Sequence, residues 1–145
     1  MTLFSFNARV QVAIDRIRAS APDAQLLEAE GRASSGLIEH PSAIDRLRVL
    51  FRRGAGTLVL EETGYGEFGA PLALDLPWSG EPLEWPVEMD LHEADSLKEG
   101  ECYFEPYASV TLRTLANGNP GFVFGGNGLC GDVVVDTISG SVRGS

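Results

Sequence analysis

The spacing of apolar residues changes near residue 57, and this change limits the fold more than any other feature. Val10, Ala13, Ile14 and Ile17 fall at i, i+3, i+4 and i+7, which is one face of a helix. Asn7 is placed to cap that helix, Pro22 lies just past its end, and Arg9, Arg16 and Arg18 fall on its solvated side. From Thr57 onward the pattern alternates. Leu72, Leu74 and Leu76 are set against Ala73 and Asp75, and Val87, Met89 and Leu91 against Glu88 and Asp90. Residues 57–60, 107–115, 121–124 and 132–138 are also strand-like, with turn signals at Gly64-Tyr-Gly66, Ser79-Gly80, Asn117–Pro120 and Ser139-Gly140.

Two segments are ambiguous. Gln25–Arg32 reads as a short strand or a helical turn. In 41–53, Ile44, Leu47, Leu50 and Phe51 make a helical stripe behind Pro41 and Ser42, with Gly54 as a stop. Leu47, Val49 and Phe51 also alternate, and Arg53-Gly-Ala-Gly56 could turn a hairpin; the helix is the preferred reading. Helices first and strands after predict an α+β domain. The expected form is an antiparallel sheet of about five to six strands, with two helices from the N-terminal half packed on one face. The 145 residues fit a single domain, 1–145, with no internal repeat.

Charge is divided as sharply as period. Residues 61–105 hold thirteen acids and one base, Lys98, for a formal −12; residues 1–60 carry +2 and residues 106–145 carry 0. Such a block repels phosphate and attracts basic surfaces, so direct nucleic-acid binding is not expected. The arginines at 46, 48, 52 and 53 read as the solvated side of a helix. No run approaches the length of a membrane span, and the first residues lack the basic and apolar regions of a secretion signal. The expectation is a cytoplasmic protein with reduced thiols, monomeric or a small homo-oligomer.

The possible chemical sites are weak. Gly126, Gly128 and Gly131 match a dinucleotide-binding spacing, but the strand signal Asp132–Val135 follows where that motif needs a helix. This stretch reads as a β-turn or bulge. His40, His92, Cys102 and Cys130 are scattered singly, whereas structural zinc sites bring ligands in close pairs. Asp90–Asp95 lacks the order of a calcium loop and reads as a solvated acidic loop. Cys102 lies among Glu99, Glu101 and Glu105, which disfavour a thiolate. No catalytic residue, metal or cofactor is expected, and the protein is read as a non-enzyme.

Trp78 and Trp85 lie within the acidic window. Rings interleaved with carboxylates suit an interface for a basic protein, with the rings supplying buried area and the acids steering and pairing. The candidate partner-binding residues are Trp78, Glu81, Glu84, Trp85, Glu88, Asp90, Glu93, Asp95 and Glu99.

The segment Phe122–Val142, with its glycine-rich turn, its strand Asp132–Asp136 and the Ser139-Gly-Ser-Val142 closure, resembles a stretch of the SMI1/KNR4-like (SUKH) proteins. Many of these are immunity proteins of bacterial polymorphic toxins. The resemblance implies an immunity or antitoxin protein whose acidic face neutralises a basic toxin domain. A pocket on the sheet for a small molecule or acid/base chemistry, and an acidic scaffold or phage component, are the alternative expectations.

Overall fold

A computed structural model describes residues 5–75, 78, 80–126 and 131–144. The fold is α+β, with two α-helices and one antiparallel sheet of nine strands. The chain runs α1 (Phe6–Arg18), β1 (Gln25–Arg32), a 3-10 turn (Pro41–Ala43), β2 (Arg46–Arg53), β3 (Gly56–Gly64), β4 (Glu67–Phe68) and β5 (Leu72–Leu74). It continues through α2 (Leu91–Gly100), β6 (Ser109–Thr114), β7 (Pro120–Gly125), β8 (Val133–Asp136) and β9 (Val142–Gly144).

Strand order is β4-β3-β2-β1-β6-β7-β8-β9, with β5 also pairing β3. This order shows a repeat that the residue pattern hides. Each helix is followed by a four-stranded meander, α1 with β1–β4 and α2 with β6–β9. The two units join through the antiparallel β1·β6 pair. Residues 69–90 link the units.

Both helices cover the same face. Val10, Ala13, Ile14 and Ile17 of α1 are buried as their spacing predicts, and Phe6 meets the Phe122 ring edge-on at 5.8 Å. The covered face is built from alternate strand residues: Leu47, Val49 and Phe51; Leu58 and Leu60; Val110 and Leu112; Phe122 and Phe124; Val133 and Val135. A bulge at Leu26/Glu28 lets Leu26 and Ala29, three residues apart, both face this core. Gly31 has no room for a side chain, because a Cβ there would lie 2.9 Å from Ile44 Cγ2 and 3.1 Å from Phe6 Cε2.

Several expectations are corrected. Residues 46–53 are strand β2, not a helix, so only α1 lies in the N-terminal half. Leu50 is buried with Leu27 and Val59 on the opposite face, and burial on both faces is what gave β2 its helix-like stripe. The second helix, α2, comprises residues 91–100, where a solvated loop was expected. Ser5, not Asn7, caps α1, its hydroxyl accepting from the Ala8 N–H. Arg9 is buried rather than solvated. It pairs with Glu62, donates to the Ile44 carbonyl at 3.0 Å and lies 4.4 Å from the centre of the Tyr65 ring. Residues 86–91 form no strand. The expected glycine-rich turn lies largely outside the described residues, as does Cys130.

Candidate interaction surfaces

The linker divides the predicted site residues between two sides of the sheet. Trp78 stands on the uncovered face. Its Nε1–H donates to Glu28 at 2.9 Å, while Arg52 donates to the Trp78 and Gly80 carbonyls at 3.4 and 2.7 Å. The chain then turns around the end of the sheet. The Leu83 N–H donates to the Leu26 carbonyl, left free where β1 outruns β6, and Thr114 Oγ1 donates to the Pro82 carbonyl. Beyond Leu83 the chain runs on the helix side. Trp85 Nε1–H donates to Gln11 of α1, and Asn7 Nδ2 donates to the carbonyls of Val87 and Met89.

Leu83, Val87 and Met89 are buried in the core, Trp85 packs against it, and Glu84 and Glu88 between them point outward. Glu84 and Glu88 are exposed there, and Glu93 and Glu99 are exposed on α2. Glu81 is exposed at the crossing. Among the described residues, none of these five has an ion-pair partner. The chain thus carries Glu84, Trp85, Glu88, Glu93 and Glu99 on the helix side and Trp78 on the other.

Two predicted residues have local roles. Asp90 caps α2, its carboxylate accepting from the Leu91 N–H at 2.6 Å. Asp95 is buried 3.6 Å from Lys98 Nζ. Burial pushes the Asp95 carboxyl up, and the Lys98 ammonium opposes that only in part. Lys98 donates to the Tyr103 carbonyl at 2.7 Å and lies about 5.5 Å from the ring centres of Tyr107 and Phe124. Asp95 Oδ1 and the Tyr107 hydroxyl have no hydrogen-bond partner in this buried cluster.

The uncovered face carries most of the arginines, a feature missed when 46–53 was read as a helix. Arg46, Arg48 and Arg52 alternate along β2, with Arg32 on β1, Arg113 on β6 and Arg143 on β9. Arg32 and Arg48 both donate to Glu30 Oε1, at 2.9 and 3.4 Å. The signal lay in the alternation of Arg with Leu47, Val49 and Phe51. A cleft of about 350 Å³ opens here, lined by Glu30, Arg32, Arg46, Arg48 and Glu61.

His40 and His92, far apart in sequence, lie with ring centres 5.4 Å apart. His40 Nδ1 accepts from the Ser42 N–H, and among the described residues no third His, Cys, Asp or Glu joins them to form a metal-binding group. Asp136 fastens two hairpins. It accepts from the side-chain amides of Asn117 and Asn119 and from the N–H groups of Ile138 and Ser139. Burial would raise its carboxyl, but these four donors outweigh burial and hold it well below the usual carboxylate range.

The sequence matches no protein-family model, and a search of curated proteins finds no match. The fold is similar to the crystal structure of a candidate lipoprotein from Clostridium difficile 630. The TM-score is 0.64 at 13% identity, over 92% of this chain and 90% of that one. At that identity the likeness concerns the fold alone.

Proposed function

We propose that this is a non-enzymatic binding protein, an immunity or antitoxin protein that neutralises a basic toxin domain in the cytoplasm. The observation that supports this reading is that Glu84, Glu88, Glu93 and Glu99 are exposed on the helix side, with no ion-pair partner among the described residues. Unpaired carboxylates keep their full field for an incoming cation and steer its approach. A toxin groove lined with Lys and Arg for phosphate would be blocked by occlusion and by charge mimicry. Trp85, half-buried beside Glu84, supplies an apolar contact at the edge of this surface.

The test is co-purification with the product of the adjacent gene at low and high salt. Binding should weaken as salt rises. It should be lost when Glu84, Glu88, Glu93 and Glu99 are all changed to Lys. A partner with no basic surface, or capture unchanged by the four reversals, would count against the proposal.

A further inference from the structure

We propose that Arg32, Arg46 and Arg48 on the uncovered sheet face form a docking surface for an extended, carboxylate-bearing segment of a partner protein. This surface lies on the opposite side of the sheet from Glu84, Glu88, Glu93 and Glu99, so the inference stands apart from the function proposed above.

The first observation is the register. Arg32 and Arg46 stand directly opposite one another in the β1·β2 pair. Like charges in that position repel and weaken the sheet. Arg48 follows Arg46 by two residues and so projects from the same face. The second observation is that the cluster's hydrogen-bonding capacity is not used up within the protein. Arg32 and Arg48 share a single oxygen of Glu30. The Arg46 side chain makes no hydrogen bond or close salt bridge among the described residues; the Asp45 carboxylate lies near enough to feel its charge but is hydrogen-bonded by the N–H and hydroxyl of Ser34. Glu62, also at the cleft, is taken by Arg9. The cleft thus presents three guanidinium groups, of which that of Arg46 keeps its donors free.

Guanidinium is the side chain best shaped for two-point recognition of a carboxylate. The same cleft discriminates against nucleic acid. Glu30 and Glu61 flank the arginines, and the chain carries −10 overall, so a polymer charged at every unit is repelled. A peptide with carboxylates on alternate residues can place one at the free donors of Arg46 and set its neutral residues beside Glu30 and Glu61.

The probe is a synthetic eight-residue peptide of alternating Glu and Thr, titrated into isotope-labelled protein and followed by amide chemical shifts. Controls are the same peptide with Gln for Glu and an oligothymidylate of equal length. Shifts centred on Arg32, Arg46 and Arg48 with the Glu peptide alone are expected. Arg46→Ser should weaken that binding about fivefold, with an unfolding midpoint no lower than that of the wild type; Arg46→Gln serves if the serine variant folds poorly. The proposal is overturned by no binding at millimolar peptide or by shifts centred elsewhere. Equal binding of the Gln peptide, or tighter binding of the oligonucleotide at these residues, also overturns it.

Discussion

Lys98 and Asp95 show how a single residue can carry the docking of a helix. The Lys98 ammonium is buried between α2 and the rings of Tyr107 and Phe124, with Asp95 as its counter-charge. Removing one member of a buried pair strands the other, at a cost of about 3–5 kcal/mol. Lys98→Met should lose that much near neutral pH, measured by urea unfolding. The sign with pH follows from Asp95. Its folded pKa is already raised, chiefly by burial, and losing the ammonium raises it further. A group raised in the folded state opposes folding as pH rises through its folded value. The deficit of Lys98→Met should therefore shrink as pH falls; a deficit that grows on acidification contradicts the account. Asp136 has the opposite sign. Its folded carboxyl is depressed, so its contribution is complete above about pH 4, the unfolded value, and fades as pH falls through the depressed folded one. Asp136→Ala should cost about 3 kcal/mol at neutral pH, with the gap to wild type closing in strong acid.

At the scale of elements, the same charged pair hid α2 from the sequence. The inward positions of α2 are Leu91, Ala94, Asp95 and Lys98, so half of its buried stripe is ionic. The loop reading passed over a capping arrangement, Asp90 with Glu93 three residues on, ahead of Gly100. Asp90→Ala should cost about 1 kcal/mol, read from the chemical unfolding midpoint, and an unchanged midpoint would remove the cap from the account. By contrast α1 was plain, because its buried face is apolar apart from Arg9. In β2 the apolar set served both faces of a strand, so a helical and an alternating pattern coexisted in eight residues. Only pairing with β1 and β3 separates them, and that information lies in distant residues. The short strands β4 and β9 have two and three residues, too few to show any period. The acidic window was legible as a total. Its division among Glu62 in the core, Asp90 at a cap, Asp95 in a buried pair and the outward Glu residues depends on tertiary contacts.

The whole molecule combines two helix-and-meander units in one sheet with an uninterrupted core. Residues of both units share the main apolar cluster, and β1·β6 pairing runs over four residue pairs. Such continuity predicts one cooperative transition, so near-ultraviolet signals from Trp78 and Trp85 and far-ultraviolet signals from the backbone should melt together. Separate midpoints would mean that the units fold independently. The same architecture biases charge, with six of the ten arginines on the bare sheet face and the exposed Glu84, Glu88, Glu93 and Glu99 on the helix side, where Arg16 and Arg18 of α1 also lie. The proposed function depends on those helix-side acids. Amide hydrogen exchange of the protein, free and bound to its basic partner, tests it most directly. Slowed exchange over residues 84–101, with 46–53 unchanged, is the predicted footprint; protection centred on β2 with none over 84–101 would contradict it.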